Sequence, residues 1–118
     1  MPKSAAKRSE LRDPFDDPEL RALTDQAAAA AQLLKLLGNE HRLLILCFLM
    51  VRGEMTVGEL VTAIGLSQSA LSQHLARLRR DGLVTFRRAS QTLHYSVADK
   101  RTIRVIGVLK EIYCGTMT

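Results

Sequence analysis

The apolar positions of this chain change period along its length. From Pro18 to Leu37 they recur at helical spacing, with Leu23, Ala27, Ala30, Leu34 and Leu37 on one stripe. The alanine run Ala27–Ala31 favours helix, and Gly38 can end it. A second helix is expected after Asn39, a good N-cap, up to about Val51. Its stretch Leu43–Val51 is apolar all round, which suits burial on several sides or an oligomer interface. Thr56 and Glu59 have capping-box spacing at the head of a short helix, Thr56 to Ile64, broken by Gly65. Ser67 can cap a fourth helix running to about Asp81, with Leu71, Leu75 and Leu78 as its buried stripe and Gly82 at its end. Then the period falls to two. Val84 and Phe86 alternate with Thr85 and Arg87, and Leu93, Tyr95 and Val97 alternate with Thr92, His94 and Ser96. These read as two short strands joined across Arg88–Gln91. The joining residues lack the Asn-Gly signal of the tightest turns, so a longer or bulged tip is expected. A last helix, from near Asp99 to Gly115, carries Ile103, Ile106, Leu109, Ile112 and Tyr113 on one side.

The resulting order, ααααββα, is a mainly α fold with a small β-hairpin. Two short helices joined by a Gly-containing turn are a helix-turn-helix signature, and the hairpin that follows makes it a winged one. Residues 18–118 are expected to form one domain for DNA binding and dimerisation. Residues 1–17 hold Pro2, Pro14 and a group of acids but few apolar side chains, and read as a mobile N-terminal arm.

Composition narrows the class. With 47% apolar residues among 118, the chain can bury a core, and with 4% aromatic residues and no Trp that core must be aliphatic. Two cysteines cannot staple a disulfide-dense secreted scaffold. The longest apolar run, Leu43 to Val51, falls well short of the roughly 20 residues that span a bilayer. No apolar stretch follows the N-terminal Lys and Arg residues, so no secretory signal is read there. A soluble cytoplasmic protein without a cofactor is expected.

Charge adds a partner. Residues 1–40 hold 6 basic and 7 acidic side chains, whereas residues 41–118 hold 11 basic and 5 acidic. Five of those bases lie between Arg77 and Arg88, opposed only by Asp81. Such a cluster is the footprint of a polyanion, or else a solvated charged face. The fourth helix decides between them. The N-terminal part of a recognition helix meets base edges in the major groove, and here it offers Gln68, Ser69, Ser72 and Gln73, short uncharged groups that can read bases. Arg77, Arg79 and Arg80 lie further along, in reach of phosphates, and His74 suits packing or a phosphate contact better than base reading. The hairpin adds Arg87, Arg88, Gln91 and Thr92 for backbone or minor groove. His41 and His94 carry no signal beyond that of ordinary surface histidines.

The segments Leu33–Leu46, Val57–Val84, with its SQSALSQHL core, and the hairpin to Tyr95–Ser96 resemble the ArsR/SmtB family of winged-helix repressors. The resemblance covers about residues 30–114. It implies a homodimer built through the first and last helices, bound to a pseudo-palindromic operator in double-stranded DNA. It also implies where ligands of metal-sensing members would stand. Thr56 and Gly58 occupy the positions of a Cys-x-Cys pair, and on the last helix only Asp99 remains, with Arg101, Ile112 and Gly115 at the other positions. Thr, Gly, Arg and Ile are poor transition-metal ligands, so no metal is expected at either site.

Cys47 and Cys114 remain. On chemistry alone, Cys47 reads as a small buried hydrophobe and Cys114 as an exposed thiol near the chain end. The resemblance favours a shared role. A branch of the family that includes the BigR, SqrR and HlyU regulators keeps one cysteine in an Ile-Leu-Cys segment and one in a Tyr-Cys segment, as Ile45-Leu46-Cys47 and Tyr113-Cys114 do here. It implies a redox-sensing pair that persulfides or other oxidants cross-link, releasing DNA and derepressing sulfide-handling genes. Burial should raise the Cys47 pKa, while Lys110, one helical turn before Cys114, favours thiolate there. Cys114 is therefore expected to react first and Cys47 to resolve. Besides a DNA-binding protein that senses nothing and is tuned by abundance or a protein partner, two other readings stand beside this one. One is a metal-responsive repressor using His41, His74 or His94. The other is a thiol enzyme using the cysteine pair, against which stands the lack of any general base, oxyanion donor or cofactor motif. An enzyme is not expected.

Overall fold

A computed structural model describes residues 16–115. The order of elements is α1 (Pro18–Leu37), α2 (Glu40–Arg52), β1 (Met55–Thr56), α3 (Val57–Ile64), α4 (Gln68–Arg80), β2 (Val84–Ala89), β3 (Thr92–Val97) and α5 (Lys100–Cys114). The chain divides into two compact units at Leu34/Lys35. Most of the expected arm, 1–17, lies outside the described residues. Of its end, Asp16 pairs with Arg21, and Asp17 Oδ1 accepts the Glu19 N–H at 2.7 Å, in the first turn of α1.

The first unit carries α1 up to Leu34. The stripe expected on it does not describe a core face, because Leu23 and Leu34 are 63% and 60% exposed. The residues that α1 buries within the second unit are Leu36 and Leu37.

The second unit is built by the caps and stripes the sequence carries. Asn39 Oδ1 accepts the N–H groups of His41 and Arg42, both at 3.1 Å, and starts α2. Arg42 reaches back, donating from Nε to Leu36 O at 2.8 Å and from Nη2 to Lys35 O at 3.2 Å, which satisfies carbonyls left open at the end of α1. Thr56 and Glu59 form the reciprocal capping box of α3. Gly65, in the turn between α3 and α4, sits at φ +86°, a left-handed conformation that a side chain would strain. Ser67 then caps α4 by accepting the Ala70 N–H.

The core is aliphatic. Ile45, Leu46 and Leu49 of α2, Leu60 of α3, Leu71, Leu75 and Leu78 of α4, and Ile106 of α5 have at most 1% exposure. Thr102 is buried with them and donates its hydroxyl proton to Asp99 Oδ2 at 2.8 Å.

The sheet differs from the expected hairpin in two ways. It has three antiparallel strands in the order β1-β3-β2, because Met55 and Thr56 pair with Tyr95 and His94. A two-residue strand is too short to show a period. The hairpin tip is also tighter than expected. Ala89 pairs with Thr92, leaving only Ser90 and Gln91 in the turn. Ser90 supplies the left-handed residue itself, at φ +58°.

Removing Leu78, which has no exposed surface, should leave a cavity between α4 and its neighbours. Leu78→Ala is expected to lower unfolding free energy by about 3 kcal/mol in urea titration, and Thr56→Ala by about 1 kcal/mol through loss of the α3 cap.

Candidate nucleic-acid interface and thiol pair

The leucine stripe of α4 decides which way its polar residues face. At about 100° per residue, Ser69, Gln73, Ala76 and Arg80 lie opposite Leu71, Leu75 and Leu78, and all four are exposed. Gln68, Ser72 and Arg79 flank this outward face on one edge and are exposed as well. Ala70, His74 and Arg77 form the other edge and are half-buried.

The two edges meet different elements. Arg79 lays its guanidinium over the Phe86 ring, 4.2 Å from the centroid, and Phe86 packs edge-on against Tyr95 at 5.4 Å. Arg79 thus ties the recognition helix to the base of the hairpin, a role the sequence did not suggest. On the other edge, His74 lies 6.0 Å, centroid to centroid, from His41 at the start of α2. Burial lowers the His74 pKa, and the charges of Arg42 and then His41 lower it further. Arg77 reaches Asp81 at 3.8 Å, one turn on.

In the wing, Arg88, Gln91 and Thr92 are exposed. Arg87 is engaged. Its Nε and Nη2 donate to the two carboxylate oxygens of Glu54 at 2.8 and 2.9 Å. Those hydrogen bonds hold the Glu54 carboxyl below the ordinary carboxylate range. The pair fastens the wing to the segment that follows α2. No sequence signal marks Glu54, which lies 33 residues from its partner.

The two thiols lie on α2 and α5, helices that touch. Cys47 is half-buried and Cys114 exposed, and both are free. Burial raises the Cys47 pKa above the ordinary 9.0, the negative charge of Cys114 raises it further, and Lys110 opposes both. The influence of Lys110, expected at Cys114, is thus felt at Cys47. At the positions where the resemblance implied metal ligands, the Thr56 hydroxyl is used in the α3 cap and Gly58 has no side chain. Among the described residues no three His, Cys, Asp or Glu side chains gather around a common point, and no helix is long and apolar enough to cross a membrane.

Residues 39–85, from the α2 cap through the recognition helix to the first wing strand, match the model of "Bacterial regulatory protein, arsR family". The transcriptional activator HlyU of Vibrio cholerae is 47% identical over 95 residues, 80% of this chain and 87% of that protein. The chain belongs to the ArsR family. The biofilm growth-associated repressor of Agrobacterium fabrum is 38% identical over 107 residues, 89% of this chain and 91% of that protein. The structure of reduced HlyU from Vibrio cholerae superposes with a TM-score of 0.75 at 47% identity, covering 80% of this chain and 99% of that one. This ArsR-family chain is therefore a DNA-binding transcriptional regulator with a winged helix-turn-helix, as the motif order implied. Its relatives include both an activator and a repressor.

The unequal thiols give a testable order. Iodoacetamide at neutral pH should alkylate Cys114 first, and the Cys47 rate should keep climbing past pH 9.0 as its raised pKa is approached. Peptide mass spectrometry with time reads both rates, and equal rates would contradict the assignment.

Proposed function

We propose that this regulator is a homodimeric repressor that releases a pseudo-palindromic operator when Cys47 and Cys114 are joined. The observation that carries the reading is the pairing of two free thiols on touching helices, close enough for the charge of one to act on the other. The reduced form of HlyU from Vibrio cholerae, 47% identical, supports a redox variable in a relative of this similarity.

The DNA-binding part follows from the exposed polar face of α4. Gln68, Ser69, Ser72 and Gln73 meet base edges, while Arg80, Arg88, Gln91 and Thr92 serve phosphates, the wing backbone or the minor groove. Arg77, Arg79 and Arg87, each with an intramolecular partner, position or supplement this surface. The dimer follows from apolar exposure. Ile112 and Tyr113 on α5 are 66% and 82% exposed, and Leu23 and Leu34 are likewise uncovered on α1. Two copies bury such surface against each other, each supplying one recognition helix to a half-site about 34 Å from the next.

The chemistry balances with a low-molecular-weight persulfide as oxidant. The Cys114 thiolate attacks its outer sulfur, a thiol leaves, and Cys114 carries the persulfide. The Cys47 thiolate then attacks the Cys114 sulfur and expels hydrosulfide, leaving a disulfide. With peroxide the same bond forms through a sulfenic acid at Cys114, and two waters leave in all. Joining α2 to α5 repacks the element that supports the recognition helix. A hundredfold loss of DNA affinity requires only about 2.7 kcal/mol of coupling.

Intact-protein mass spectrometry after anaerobic treatment with glutathione persulfide, read beside DNA binding by fluorescence anisotropy, tests this. The wild type should lose both free thiols together with most of its DNA affinity. Cys47→Ser and Cys114→Ser should bind DNA and ignore the persulfide. Release that persists in both variants would sink the thiol mechanism.

A further inference from the structure

A helix lying in the major groove has a phosphate backbone along each flank. On α4 the two flanks are furnished differently. One edge is joined to the wing, which brings its own cations, through Arg79 and Phe86. The other carries His74 against His41, with Arg42 fixed beside them by its bonds to Leu36 O and Lys35 O. Two elements thus bring three groups that are cationic, or become so on protonation, to one edge of the recognition helix.

Few acids face them. On α2 the acid beside His41 is Glu40, exposed in the first turn, and the charges that act on His74 are those of Arg42 and His41. From the other neighbours of α4, the acid of α3, Glu59, is committed to the Thr56 N–H. Beyond β2, Glu54 is committed to Arg87. On α4 itself Arg77 faces Asp81. With both imidazoles protonated the cluster sets three positive charges against Glu40, an excess that is unfavourable in the free chain and favourable once an anion sits over it.

We propose that His41 and His74 form a second phosphate-contact site, which extends the DNA interface from α4 onto α2 along the edge opposite the wing. The inference rests on the DNA-binding mode proposed above. Arg42, with its donors turned to backbone carbonyls, supplies field rather than a direct bond. Because both contacts are imidazoles, the grip on DNA tightens as they protonate. Burial and the Arg42 charge lower the His74 pKa in the free chain, and a phosphate beside it favours the charged form, so DNA binding takes up protons.

The test needs no operator, because a phosphate contact is independent of sequence. Affinity for a mixed-sequence duplex is measured by anisotropy, as a function of salt, between about pH 5.5 and 8. The wild type should gain about tenfold toward acid, and its log–log salt slope should steepen by about 0.9 for each phosphate gained. His74→Gln and His41→Gln should each lose part of both gains, and the double variant all of them. His41→Lys, at an exposed position, should show the steeper slope already at pH 8. His94→Gln should keep the acid gain. The site is refuted if the gain persists in the double variant, if it disappears with His94, or if His41→Lys leaves the slope at pH 8 unchanged. A wild type that binds no duplex at any pH would instead overturn the DNA-binding mode itself.

Discussion

The contact on which the rest of the molecule depends is the aliphatic seam between α2 and α4. Ile45, Leu46 and Leu49 on one side and Leu71, Leu75 and Leu78 on the other are sealed from solvent, and Leu60, Leu83 and Ile106 are buried in the same core. No Trp is present, and among the described residues no ion pair crosses the seam, so orientation is set by close packing. The outward residues of α4 point where they do because its leucines have only one place to go. The recognition surface is in that sense a by-product of the core, and its two edges inherit their neighbours from the same seam. The wing is joined to this frame by buried Val84 at the start of β2, by the pairing of β3 with β1, and by Arg79 and the Glu54–Arg87 pair.

That arrangement makes α2 a poor place to absorb a local change. It touches α3, α4, β3 and α5, and its last turn leads directly to Glu54 and hence to the wing. A close-packed interior transmits displacement rather than dissipating it. A bond at Cys47 therefore acts on a helix whose shift must alter the seat of α4 or the tether of β2. The free energy required is modest. A hundredfold change in affinity, about 2.7 kcal/mol, is comparable to the loss of one buried leucine side chain. Repacking at a single layer of the seam is enough, without any rearrangement of the fold.

Most of the architecture could be read from spacing, because the determinants are local. Asn39, Thr56 and Ser67 cap the helices they precede, and the stripe Leu71, Leu75, Leu78 fixes the face of α4. What escaped the sequence is contact between distant segments. Strand β1 has two residues and exists only because Tyr95 and His94 lie beside it. Arg87 and Arg79 read as free cations because nothing near them in sequence is acidic or aromatic at contact spacing, yet Glu54 and Phe86 engage them. His41 reads as an ordinary surface histidine for the same reason, since its neighbour His74 belongs to another helix. On α1 the helical period was plain, but a period identifies an apolar face and not what covers it. Leu23 and Leu34 are on that face and uncovered in the single chain.

On the proposed reading, the thiols give a shared fold a different input with the same output. At the start of α3, where the resemblance implied a metal-binding pair, Thr56 spends its hydroxyl on the Glu59 N–H, and the capping box ties that turn to helix formation alone. Sensing, on the proposed reading, rests instead on α2 and α5. The two positions there are chemically unequal: burial and the facing Cys114 charge oppose ionisation of Cys47, whereas Cys114 stands open at the end of α5. Two exposed thiols of low pKa would close with any passing oxidant. A pair in which one member is reluctant closes only after the other has been modified. Modification at Cys114 supplies the electrophilic sulfur that Cys47 attacks, which an unmodified thiol does not offer. The first step is thus the condition for the second, and on the proposed reading the inequality of the two sites becomes a threshold on the signal rather than a defect in the switch.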